Sequence, residues 1–99
     1  MSPLDQHRRE LSSRLRDLRG LFSGQEASSY VGLFDEFLRQ QEFGLALEAL
    51  CDFLVEPNGP GITETDINRI EALHLLMQVE DNCVSALRRR YLRRMDSLK

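Results

Sequence analysis

Glu42-Phe43-Gly44-Leu45-Ala46-Leu47-Glu48-Ala49-Leu50-Cys51-Asp52-Phe53-Leu54-Val55 is the stretch that decides the fold. Phe43, Ala46, Leu47, Leu50, Cys51 and Leu54 recur at intervals of three and four, the spacing of a helix with one buried face. The pattern predicts a helix from Phe43 to about Val55, with Phe43-Gly44 as a tight corner at its head. Immediately after it, Pro57-Asn58-Gly59-Pro60-Gly61 gathers five turn-forming residues and ends the helix in a surface loop. Thr63 follows as an N-cap, and Asp66, three residues on, completes a capping-box start to another helix.

Helical spacing continues outward in both directions. Ile67, Ile70, Leu73, His74 and Met77 share the inner face of the helix begun at Thr63. Glu80-Asp81-Asn82 interrupts the pattern, and Asp81 or Asn82 caps a last helix with Val84, Leu87, Tyr91, Met95 and Leu98 inward. Upstream, a helix over about 26–41 turns Tyr30, Phe34, Phe37, Leu38 and Gln41 inward. Gly20 and Gly24 bracket a break, with Leu21 and Phe22 tucked back onto the core. A first helix over 4–19 carries Leu4, Leu11, Leu15 and Leu18. No stretch alternates with period two for long, and no internal repeat occurs. The expected fold is all-α, a compact bundle of four or five short antiparallel helices forming one domain over residues 1–99.

Composition sets the class. At 41% hydrophobic and 29% charged residues, the chain has enough apolar surface to fold, unlike a disordered segment. It has no run of 18 apolar residues, and no apolar region follows the early arginines, so neither a membrane span nor a signal peptide is expected. Cys51 and Cys83 form no metal-type or redox-type motif. They read as two reduced, small hydrophobic residues of a cytoplasmic protein.

Charge is distributed unevenly. The net charge of −3 conceals a balance of +2 over residues 1–25, −10 over 26–81 and +5 over 82–99. Glu48, Asp52 and Glu56 fall at i, i+4 and i+8, which stacks three carboxylates on one helical stripe with no base on that helix to offset them. Like charges at this spacing cost a few tenths of a kcal/mol per pair. Asp35, Glu36 and Glu42 precede the stripe, and Glu64, Asp66 and Glu71 follow it. Such acids form a solvated face, with Glu64 and Asp66 also suited to a helix start. The self-repelling stripe favours a second reading, in which a basic partner supplies the counter-charge.

Catalytic signatures are missing from the sequence. Only His7 and His74 are available as histidine general bases, His7 in an end turn and His74 among leucines at the core edge. A Cys51/His74 dyad is conceivable on paper, but nothing marks either helix as lining a cleft. No glycine-rich phosphate loop, HExxH or GxSxG occurs. Glu42, Glu48 and Asp52 lack an accompanying histidine of the kind that completes helical carboxylate metal sites. The expectation is a non-enzyme with no metal and no cofactor.

The stretch from Glu42 to Leu54 resembles the signature of MafI-like bacterial immunity proteins, an E-[FY]-G-L-A-[LF]-E-x-L helix followed by a short variable loop. Their next helix begins I-[ST]-x-x-[ED], matched here by Ile62-Thr63-Glu64-Thr65-Asp66, and Ile70 and Met77 also fit. The resemblance covers about residues 30–82. It implies a cognate antitoxin for a secreted polymorphic toxin, the class that includes immunity proteins of contact-dependent growth inhibition systems. It also implies a partner that is often a ribonuclease. A ribonuclease cleft is basic because it holds phosphates, so an acidic surface can fill it as a phosphate mimic. Within the motif, Gly44 is expected to allow close helix approach or the corner itself. Leu45 and Phe53 fall off the inward stripe and stand as apolar anchors beside the carboxylates. The expected partner-binding set is Glu42, Leu45, Glu48, Asp52, Phe53, Glu56 and Glu64.

Two alternatives come from the C-terminal run Leu87-Arg88-Arg89-Arg90-Tyr91-Leu92-Arg93-Arg94. Five arginines in this run can grip phosphates, which suggests a small nucleic-acid-binding regulator. A pI near 5.3 argues against that role. Helical spacing places Arg89, Arg90, Arg93 and Arg94 on a solvated exterior, opposite Leu87 and Tyr91. The run can also pair with the acidic middle, either within the chain or in a neighbouring copy.

Overall fold

The structure, a computed structural model, describes residues 3–24, 27–56, 61–79 and 82–97. Five helices follow in order: α1 Pro3–Leu18, α2 Ala27–Arg39, α3 Phe43–Leu54, α4 Glu64–Met77 and α5 Cys83–Ser97, with a 3-10 turn at Arg19–Leu21. No strand occurs among the described residues, and none of these helices is long and apolar enough to cross a membrane. The side chains of Leu4, Arg94 and Met95, and Leu98 with the Pro57–Pro60 turn and Glu80-Asp81, lie outside the described residues.

α3 is the central element. It contacts α1, α2 and α5, and its most extensive partner is α2. Eight of its twelve residues are buried, namely Phe43, Ala46, Leu47, Ala49, Leu50, Cys51, Phe53 and Leu54. Around it Leu11, Leu15 and Leu18 come from α1, Phe34 from α2, Ile67, Ile70 and Leu73 from α4, and Leu87 from α5. Phe34 is completely enclosed, and truncating such a side chain to alanine costs about 3–5 kcal/mol. Leu21 and Phe22 fold back onto this core from the 3-10 turn.

Helix ends account for two differences from the sequence reading. The corner before α3 is not Phe43-Gly44, because those are the first two residues of the helix itself. The chain turns at Gln41, which adopts the left-handed conformation at φ 57°. The Gln41 N–H then donates to Leu38 O at 3.1 Å and the Glu42 N–H to Phe37 O at 2.8 Å. These two bonds form a Schellman motif, which satisfies the last carbonyls of α2. Gln41 therefore points to solvent rather than inward. Gly44 is exposed, and a Cβ placed on it would meet nothing within 4 Å. It serves neither a turn nor a close helix approach. α4 ends the same way as α2: Gln78 takes φ 55°, with Gln78 N–H to Leu75 O and Val79 N–H to His74 O. The start of α4 is as read. Thr63 Oγ1 accepts from the Asp66 N–H at 3.1 Å, and Asp66 Oδ2 accepts from the Thr63 N–H at 3.3 Å.

The glycines and left-handed residues can be tested together. Gly32 lies inside α2, is exposed and has open space at its Cβ. Gly32→Ala should therefore raise unfolding stability by about 0.5–1 kcal/mol. Gln41→Gly should also stabilise, by about 1 kcal/mol, because it relieves the left-handed strain. Gly24 sits at φ 87°, so Gly24→Ala should destabilise by about 1 kcal/mol. Urea unfolding followed by circular dichroism checks all three signs.

Candidate partner-binding face and the cysteine–histidine cluster

Burial on most of its circumference leaves α3 a narrow exposed ridge. Gly44, Leu45, Glu48 and Asp52 lie on it, with Glu42 just before the helix and Val55 just after. Leu45 and Val55 are 43% and 40% exposed, so each offers apolar surface beside the carboxylates. The side-chain carboxylates of Glu42, Glu48 and Asp52 form no ion pair or hydrogen bond among the described residues. Glu64 is also exposed, in the first turn of α4 on a different element.

Two members of the expected set are placed elsewhere. Phe53 is not a surface anchor, for it is 2% exposed. Its ring stacks on Phe22 at 5.3 Å and meets Tyr30 at 5.5 Å. The inward stripe assumed one buried face, whereas contacts from three helices widen it past Phe53. Glu56 is half-buried, and its Oε1 accepts from the Tyr30 hydroxyl at 2.8 Å. It ties the end of α3 to α2 and is not displayed freely with Glu48 and Asp52. Val55 is an exposed apolar residue that sequence reasoning missed. Its only signal was its place in the helix's last turn, just past Leu54.

Much of the remaining acidic charge is compensated internally. Arg19 grips Asp35 with two hydrogen bonds, Nε to Oδ1 at 2.9 Å and Nη2 to Oδ2 at 2.8 Å. Arg39 pairs with Glu36 one turn earlier in α2. Arg88 of α5 donates to Glu71 Oε2 and to Asn68 Oδ1 of α4, each at 3.2 Å. Arg90 is half-buried, not part of a solvated exterior, and donates to the Leu54 carbonyl. A cation there also opposes the negative end of the α3 dipole. Arg88 and Arg90 are thus engaged inside the fold, and the side chains of Arg89 and Arg93 are exposed.

Between α3 and α5 runs an open groove lined by Glu48, Cys51, Asp52, Val55, Val79, Asn82, Cys83 and Ala86. At its floor Cys51 and Cys83 are joined in a disulfide, with Cα atoms 6.0 Å apart. The reading of two reduced cysteines is therefore corrected. Their sequence separation of 32 carries no spacing signal, and only the packing of α3 against α5 brings them together. Closing a loop of this length restricts the unfolded chain by about 3–4 kcal/mol in the chain-entropy account. His74 is 6% exposed and sits beside the pair, a ring nitrogen and both sulfurs lying within 4.8 Å of one another. Its Nδ1 is 2.9 Å from Ile70 O. A carbonyl only accepts, so Nδ1 carries the hydrogen, and in the neutral ring the lone pair belongs to Nε2. His7, by contrast, is exposed on α1.

No family model, curated protein or solved structure matches this chain.

The Asp35–Arg19 contact gives a pH test. The Arg19 hydrogen bonds hold the Asp35 carboxyl below its usual range. A carboxylate with a depressed pKa stabilises the fold above its unfolded pKa, near 3.9, and loses that contribution as pH falls through the folded value. Wild type should thus exceed Asp35→Asn in melting temperature at pH 7, and the gap should close towards pH 2. Exposure of the pair keeps the gap small.

Proposed function

We propose that this protein is an immunity protein, which binds and neutralises the catalytic domain of a cognate secreted toxin. It acts by occupying a surface and not by catalysis. The observation that carries the reading is the α3 ridge, where Glu42, Glu48 and Asp52 stand unpaired around exposed Leu45 while Asp35, Glu36, Glu56 and Glu71 find partners within the fold. Mutual repulsion along the ridge is relieved when a basic surface covers it. The same residues carry the resemblance to MafI-like immunity proteins. A ribonuclease-type domain suits this ridge, since its cleft holds phosphates and is basic for that reason.

The proposed contact set is Glu42, Leu45, Glu48, Asp52 and Val55, with Glu64 at its margin. Leu45 and Val55 are the apolar anchors in place of Phe53, and the carboxylates steer association. The immunity reading places the protein in the cytoplasm of the cell that makes it, where thiols are kept reduced.

The test pairs this chain with the secreted toxin domain encoded beside it. Glu48→Arg/Asp52→Arg should fold, since both positions are exposed, yet lose protection against the toxin. Association should slow at least about tenfold at low salt, as removed steering charges act on the on-rate. A folded double variant that protects as fully as wild type would remove this face from consideration. Truncating a carboxylate buried and paired in the complex should cost about 2–5 kcal/mol of binding.

A further inference from the structure

We infer that Cys51, His74 and Cys83 form a site for a zinc ion when the two cysteines are reduced. The fold gathers two soft sulfur ligands and one imidazole from three different helices, α3, α4 and α5. Such a donor set selects Zn2+ among the common divalent cations, whereas Mg2+ and Ca2+ require oxygen. The three ligand atoms lie within 4.8 Å of one another, and all three residues are buried. A tetrahedral zinc with bonds near 2.3 Å to sulfur and 2.0–2.1 Å to nitrogen needs ligand atoms about 3.3–3.8 Å apart. Once the disulfide opens, modest side-chain rotation supplies that spread.

Three further features fit the site. The Nδ1–H of His74 is anchored on the Ile70 carbonyl at 2.9 Å, the backbone hydrogen bond that typically orients a metal-bound imidazole through its other nitrogen. Cys83 is the first residue of α5, where the helix field favours the negative charge of a thiolate. The groove containing Glu48, Asp52 and Asn82 is lined by both cysteines as well, which offers the ion an entrance and a water molecule the fourth position.

Disulfide and zinc site are alternative states of the same three side chains. A dithiol reductant transfers two electrons and two protons to the Cys51–Cys83 bond, leaving two thiols and its own disulfide. Zn2+ then displaces the two thiol protons to solvent, and His74 donates its ring lone pair. A small-molecule disulfide reverses the sequence: it takes two electrons from the two thiolates and two protons from solvent, leaving as two thiols, while the Cys51–Cys83 bond re-forms and the ion is released. This inference is independent of the immunity reading, because it concerns only metal and thiol chemistry in the isolated chain.

The experiment uses the full chain, either oxidised or reduced with a phosphine and desalted, titrated with Co2+ as a spectroscopic stand-in for Zn2+. The reduced chain should take up one ion and show sulfur-to-cobalt charge-transfer absorption with the visible bands of a tetrahedral site. Zn2+ should bleach both, and the oxidised chain should show neither. His74→Ala should weaken binding at least about tenfold, Cys83→Ser should lose the site, and His7→Ala should match wild type. His74→Cys should restore binding with stronger charge-transfer absorption, which separates ligation from packing. Circular dichroism of the oxidised His74 variants, where the disulfide is intact, reports whether each folds. A reduced chain that stays helical without acquiring these bands overturns the proposal. So does one that loses helix and does not regain it with Zn2+, or a His74→Ala variant that binds as tightly as wild type.

Discussion

The burial of α3 is the constraint on which the rest of this small protein depends. With 99 residues, a chain removes only a modest share of its surface on folding, so one helix must serve as the common wall for several others. α3 does this with leucines, alanines and Phe53 turned towards α1, α2 and α5. A helix enclosed on most sides must be apolar on most sides, and α3 is. The residual ridge is then the only part of α3 free to carry charge, and its acids are concentrated there. Core and surface are thereby separated within a single helix: exchanging Glu48 or Asp52 alters the outside without touching the packing that holds the bundle.

Electrostatics follows from this arrangement. The acidic middle of the chain is not uniformly available, because the basic ends fold back onto part of it. Arg19 takes Asp35, and Arg88 takes Glu71. Each is a surface pair of modest worth in stability. Their larger effect is on the pattern of charge, since they neutralise acids beside α1 and α5 and leave the α3 ridge as a concentrated negative strip. Arg90 contributes differently, by meeting the C-terminal carbonyl of Leu54 where the dipole of α3 is negative. One helix thus supplies both an internal cap and two exposed arginines, Arg89 and Arg93.

The fold class, the five helices and the Thr63–Asp66 cap were legible because each depends on short-range spacing. The left-handed glutamines were not, since Gly is the usual signal at such positions and neither Gln41 nor Gln78 gives one. Phe53 was misplaced because helical periodicity reports one buried face, and the number of neighbours around a helix is a tertiary property. Glu56 shows the same limit, as its spacing puts it on the carboxylate stripe while Tyr30, 26 residues earlier, takes up its oxygen. Of the expected face, Glu42, Leu45, Glu48, Asp52 and Glu64 are exposed, and two residues fall away for reasons lying outside their own helix.

The cysteine–histidine cluster carries the same lesson to chemistry. Metal and redox motifs are recognisable in sequence when their ligands share a turn or a helix, because local geometry then fixes the distances. Cys51, His74 and Cys83 come from three helices, and their meeting depends on how α5 packs against both α3 and α4. Nothing at positions 51, 74 or 83 differs locally from an ordinary core residue. Their burial satisfied the expectation of small apolar packing, and the same burial brings the sulfurs and the imidazole within reach of one another. The apolar packing that stabilises the bundle also assembles a reactive trio at its edge, beneath the acidic ridge.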